Sequence, residues 1–158
     1  MARVVFSFLF GKQYTAVVRE TKDKYDWTIL TGNPAYFSAI KSNNVLITSV
    51  KPKDVEKYYN SNTFGIILRE DSIVNKVACP TKLIEYIQTG LIPVVYSPYI
   101  GDFYKYGYRY VTYENFKNGK LPSEEEIGRI RIHNHKILEG IMAQTKQNIN
   151  QLKDIVAC

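Results

Sequence analysis

The stretch FGIILREDSIVNKVACPTKLIEYIQTGLIPVV, Phe64 to Val95, decides the fold of this chain. It opens with Phe64 to Leu68, a short run of apolar residues with no polar alternation. Such a run suits a strand covered on both faces. A polar loop of about a dozen residues follows, beginning at Arg69. A helix begins near Thr81 and spans Lys82 to Thr89, stopped by Gly90, a residue suited to a helix C-terminus. Ile92 to Tyr96 is again an apolar strand. Strand, helix and strand with doubly covered strands predict a parallel βαβ unit.

The same pattern extends outward. Arg3 to Phe10 is an apolar strand candidate. Trp27 to Leu30 is another, closed by the turn Thr31-Gly32-Asn33-Pro34. A weak helix is expected over Ala35 to Lys41, a strand over Asn44 to Ser49, and a helix over Pro52 to Asn60. In that helix Pro52 stands in the first turn and Val55, Tyr58 and Tyr59 keep i, i+3, i+4 spacing. From Ser123 the chain reads as helical for roughly thirty residues, with Ser123 and Glu126 spaced as a capping box. Ile127, Ile130, Ile137, Leu138, Ile141, Ile149, Leu152 and Ile155 form its apolar stripe, with a gap near Asn134. The fold class is therefore α/β: a Rossmann-like parallel sheet flanked by helices, with a long C-terminal helical segment, in one domain over residues 1–158.

Composition agrees. The 158 residues are 45% hydrophobic and 23% charged, which excludes disordered and fibrous classes. No apolar run approaches the ~20 residues of a membrane span, and MARVVFSFLFGK lacks the cleavage site of a signal peptide. Cys79 and Cys158 form neither a disulfide framework nor a metal-ligand pattern, so a reducing, cytoplasmic location is expected. With 21 basic and 15 acidic residues the net charge is +6, which favours phosphate-bearing partners without choosing among them.

Parallel sheets bind ligands beyond the carboxyl ends of their strands. The loops of interest are therefore residues 11–14, 31–34, 69–81 and 97–101. In the helix after Pro80, Thr81, Lys82, Glu85 and Thr89 share one face, and Leu83, Ile84 and Ile87 take the other. Free N–H groups at the helix start, with Lys82 beside them, make an anion site. Glu85, about 5.4 Å further along, stands within reach of a sugar diol next to a bound diphosphate. The same spacing also suits an i, i+3 surface ion pair.

These residues carry a resemblance. A P-[ST]-K-x-x-E-Y segment before a G-x-x-P-V-[VI] strand is present here as Pro80-Thr81-Lys82-Leu83-Ile84-Glu85-Tyr86 and Gly90-Leu91-Ile92-Pro93-Val94-Val95. Over about 35 residues this resembles the donor-binding half of two-domain, GT-B-type glycosyltransferases of the large family-four group. The resemblance implies a Rossmann-like domain that binds a nucleotide-sugar. Glu85 would hold the ribose, and Thr81 and Lys82 the diphosphate. Lys12, after Gly11 at the end of the first strand, and Arg69, at the end of the Phe64 strand, would neutralise the diphosphate. Many members carry a second glutamate eight positions earlier, close to the donor sugar. Val77 stands there in this chain, and Glu70, Asp71, Ser72 or Asn75 are the candidates to replace it.

The resemblance further implies transfer of a sugar, in the retaining mode, from a UDP-, GDP- or ADP-sugar to a glycan or lipid-linked acceptor in polysaccharide biosynthesis. It implies no cofactor, no metal and no nucleic-acid partner, and peripheral membrane association of a longer enzyme. The acceptor and catalytic groups would sit on an N-terminal domain absent from this chain, so the chain is expected to be an excised domain, inactive alone.

Other constellations are weaker. His133 and His135, two apart on a helix, cannot chelate one metal and read as a solvated pair. Cys79 reads as a small buried loop thiol. No G-x-x-x-x-G-K-[ST] or G-x-G-x-x-G motif occurs. The run Tyr96, Tyr99, Phe103, Tyr104, Tyr106, Tyr108, Tyr110, Tyr113, interleaved with Lys105 and Arg109, reads as a loop and short strand with half-buried rings. Such a face also suits a non-catalytic module that grips RNA or an anionic surface. A third possibility keeps the fold but changes the reaction to nucleotide-sugar epimerisation.

Overall fold

A computed structural model describes residues 1–7, 12–77 and 80–156, with the backbone alone for Asn75, Val77 and residues 151–156. Six strands form one parallel sheet: β1 (Ala2–Ser7), β2 (Tyr25–Leu30), β3 (Val45–Thr48), β4 (Phe64–Ile67), β5 (Ile92–Val95) and β6 (Val111–Thr112). Their order is β3-β2-β1-β4-β5-β6, every neighbouring pair parallel. The chain winds outward from β1 to β3, then crosses back to β4 and winds the other way. The reversal leaves a crevice between the carboxyl ends of β1 and β4, where ligands bind in open α/β sheets.

The helices are α1 (Lys12–Thr21), α2 (Val55–Asn60), α3 (Ile73–Val77), α4 (Thr81–Gln88), α5 (Tyr113–Lys117) and α6 (Glu124–Val156). Successive side chains of each strand point to opposite faces, which splits the core in two. Val4, Phe6, Phe64, Ile66, Ile92 and Val94 pack with Val17 and Val18 of α1 and Phe116 of α5. Val5, Ile67 and Val95 pack with Val55 and Tyr59 of α2, Leu83 and Tyr86 of α4 and Leu138 of α6. Ser7 falls on this second face.

Several expectations are corrected. Lys12–Tyr14, read as loop, is the start of α1. Tyr14, Val17, Val18 and Thr21 lie at i, i+3, i+4, i+7 and are buried against the sheet. The weak helix over Ala35 to Lys41 is a 3₁₀ turn, Pro34–Phe37, holding the buried ring of Phe37. The Pro52 helix opens with a 3₁₀ turn, Pro52–Asp54, before α2. The loop after Arg69 contains α3. Trp27–Leu30 begins two residues earlier, at Tyr25.

α6 runs without a break through Asn134. That residue is buried, and its side chain accepts from Arg109 N (2.7 Å) and donates to Arg109 O (2.8 Å). The gap in the apolar stripe is thus a polar anchor. The capping box forms: Ser123 N donates to Glu126 Oε2 at 2.8 Å and Glu126 N to Ser123 Oγ at 3.3 Å. On α4 the fully buried core residue is Tyr86, together with Leu83 and Ile87, and Ile84 is only partly covered. Phe8 to Gly11, Cys79 and Cys158 lie outside the described residues, as do the side chains of Leu152 and Ile155. Among the described residues no helix is long and apolar enough to cross a membrane.

Candidate functional site

The site is built where α2 and α4 lie side by side on the second face of the sheet, next to the β1–β4 crevice. α4 follows β4 and α3 in the chain, which sets its N-terminal turn on the carboxyl side of the sheet. Lys82 and Glu85 stand one turn apart there, with Lys82 Nζ 2.6 Å from Glu85 Oε2. The surface-pair geometry expected from the spacing is therefore present. It is not only a surface pair, because a third group completes it.

Tyr59, arriving from α2, donates from its hydroxyl to Glu85 Oε2 at 3.2 Å and accepts from Lys82 Nζ at 3.2 Å. The same hydroxyl bonds Ser7 Oγ at the end of β1. A phenolic oxygen has one proton and two lone pairs. The proton goes to the carboxylate and one lone pair to the ammonium. The other lone pair is left for Ser7, so Ser7 is the donor. The Tyr59 ring is buried and meets Tyr86 edge-on, centroids 5.2 Å apart at 85°.

Burial pulls the Lys82 ammonium down, but its hydrogen bonds to Glu85 and Tyr59 and the neighbouring negative charge more than offset this, and its pKa is raised. Lys82 therefore stays cationic at neutral pH. The Tyr59 hydroxyl is raised by burial, against opposing contributions from Ser7 and Lys82. The Lys82 and Glu85 side chains keep 18% and 37% of their exposure, so a ligand reaches both. They line a groove of about 410 Å³ between the helices, with Pro52, Val55, Tyr59 and Gln88 among its walls. A second depression, about 550 Å³, lies at the opposite edge of the sheet near Arg3 and Asn62, away from the crevice.

The remaining predicted residues are distributed along the same carboxyl edge. Lys12 is the exposed first residue of α1, and Thr81 the exposed first residue of α4. Arg69 is half-buried just beyond β4. Its charge acts on the Tyr14 hydroxyl, which is raised overall by burial and accepts from Leu68 N at 2.9 Å. Ser72 is half-buried at the entry to α3, where its carbonyl accepts from Lys76 N at 3.1 Å. The backbone of Asn75 lies within α3, and its side chain is outside the described residues. Lys76 pairs with Asp71 at 2.9 Å and sits 5.0 Å from the Tyr99 ring centroid, tying this loop to the one after β5.

Of the predicted set, Lys82 and Glu85 are brought into direct contact. Tyr59 and Ser7 were missed as site residues. A signal existed for Ser7: it is a hydroxyl residue in an otherwise apolar run at the carboxyl end of a central strand. The tyrosine run is mixed. Tyr108 is buried, Tyr110 half-buried, and Tyr96, Tyr104 and Tyr106 are exposed. The two histidines lie at the surface and each has a local contact. His133 Nε2 lies 2.9 Å from Gly107 O, and His135 Nε2 lies 3.5 Å from Glu139 Oε1.

The chain matches no protein-family model and no curated protein.

Proposed function

We propose that this domain binds a nucleoside diphosphate sugar and serves as the donor-binding part of a glycosyltransferase. The observation that carries the reading is the placement of Lys82 and Glu85. They stand half-exposed, one turn apart, at the start of a helix that faces the crevice of a β3-β2-β1-β4-β5-β6 sheet. An anion at that helix start meets the positive end of the helix dipole and an ammonium. A diphosphate draws Lys82 from Glu85 and leaves the carboxylate to accept from a ribose diol. Arg69 and Lys12 add positive charge on the same edge and would stabilise the departing nucleoside diphosphate. Ser72 and Asn75 remain the candidates to face the donor sugar, whose acceptor would be a glycan or lipid-linked group.

Calorimetric titration with UDP, GDP and ADP and their sugars tests this. One nucleotide is expected to bind, and Lys82→Met to weaken it. Absence of binding by all three at millimolar concentration would overturn the reading.

A second reading, an RNA- or anionic-surface-binding module, draws on the exposed Tyr96, Tyr104 and Tyr106 rings. Against it, the lysines beside them carry carboxylate partners: Lys76 with Asp71, Lys105 with Asp102 and Lys117 with Glu114. A steep salt dependence of RNA affinity, unchanged by Glu85→Ala, would favour it.

A further inference from the structure

We infer that Tyr59 is a positioning residue of this site: its hydroxyl aims the Glu85 carboxylate at a ribose diol, and the buried Ser7 holds that hydroxyl in place. The inference rests on reading the Thr81–Glu85 segment as a nucleotide site.

In the free protein Lys82 and Tyr59 both hold Glu85 Oε2, at 2.6 and 3.2 Å. A bound diphosphate competes for Lys82, because its charge exceeds that of one carboxylate. Glu85 then keeps a single partner, Tyr59. Without it, the carboxylate is free to turn about its side-chain torsions toward solvent. The Tyr59 ring cannot swing away, since it is buried against Tyr86. Ser7 has no exposure and bonds the same phenolic oxygen, so the hydroxyl is held where it donates to Glu85 Oε2 at 3.2 Å. One oxygen of Glu85 is thereby occupied and the other is presented to the groove. A carboxylate held in this way distinguishes a sugar with two adjacent hydroxyls from one lacking the 2′-hydroxyl.

The test measures the affinities of GDP, UDP and ADP, of their 2′-deoxy counterparts and of pyrophosphate, for the wild type, Tyr59→Phe and Ser7→Ala. The wild type is expected to prefer its ribonucleotide by about tenfold, the scale of one hydrogen bond to a charged group. Tyr59→Phe should reduce that preference to about threefold or less without lowering pyrophosphate affinity. Ser7→Ala should act in the same direction less strongly, and it decides the matter if Tyr59→Phe does not fold. A folded Tyr59→Phe that keeps the full preference overturns the inference and leaves the nucleotide site intact. So does a wild type that binds nucleotide but ignores the 2′-hydroxyl. A wild type that binds none of the three nucleotides overturns both readings together.

Discussion

Lys82 and Glu85 neutralise each other across one turn of α4, ammonium to carboxylate oxygen 2.6 Å, on the helix end that faces the sheet's crevice. The pair thus opposes, in the free protein, the attraction that either partner would offer a ligand. Changing each partner alone should therefore have different consequences. Lys82→Met is expected to weaken both pyrophosphate and nucleoside diphosphate, by about tenfold or more. Glu85→Gln should strengthen pyrophosphate by roughly threefold, the scale of a partly exposed pair, while weakening the nucleotide. Calorimetry with the two ligands separates these outcomes. Parallel losses for both ligands in Glu85→Gln would refute the role given to the carboxylate.

Gly65 of β4 is needed for a different reason. A Cβ at this position would lie 2.4 Å from Cδ2 of Tyr86, whose ring is fully buried and has nowhere to move. Gly65→Ala is expected to destabilise the domain by about 3 kcal/mol, the upper range of overpacking. Urea denaturation would measure the loss, and a smaller side chain at position 86 in the double variant should recover part of it.

Asn134 joins α6 to the strand-entry segment by satisfying both backbone groups of Arg109. Asn134→Ala leaves both without that partner and should cost about 2 kcal/mol. Asn134→Asp keeps the acceptor for Arg109 N and loses the donor, so its thermal midpoint should fall between the two. Equal midpoints for wild type and Asn134→Ala would show that this polar anchor adds nothing to the docking of the helix.

Alkaline pH should unfold the domain by a defined route. Burial raises the hydroxyl pKa of Tyr14, Tyr59, Tyr86 and Tyr108 in the fold. Lys82 is also raised, its hydrogen bonds to Glu85 and Tyr59 outweighing burial. Groups raised by folding contribute stability in full below their unfolded values, near 10 for tyrosine and about 10.4 for lysine. That contribution drains away as pH rises toward the folded values. Stability from urea midpoints is expected to be level from about pH 7 to 9 with respect to these groups and to fall beyond about pH 10. Tyr86→Phe, which removes a buried hydroxyl bonded to Ile66 O at 3.4 Å and in contact with Ser7, should flatten that fall. An unchanged alkaline slope in that variant would count against buried tyrosines as its cause.

Local pattern carried much of this architecture. Doubly apolar strands at Phe64 and Ile92, the Ser123–Glu126 cap and the Gly90 stop were readable because each rests on neighbours a few residues apart. The placement of Lys82 and Glu85 on one face of a short helix was readable for the same reason. α1 was missed because Tyr14, Val17 and Val18 make only a short apolar stripe, and the sequence just before Lys12 reads as an apolar strand. Asn134 was misread as an interruption because its partner, Arg109, is remote in the sequence.

What the sequence by itself determined was the class of the fold, the strand–helix–strand order of its central unit and the polar face of α4. Only the tertiary structure decided the strand order, the crevice between β1 and β4, and the meeting of Ser7, Tyr59, Lys82 and Glu85. The physical reason is range. Helix and strand periodicities act over three or four residues, whereas Ser7 and Tyr59 are 52 positions apart and Tyr59 and Glu85 are 26 apart. A hydroxyl's partners at that distance are set by how the sheet folds back on itself, not by any spacing along the chain.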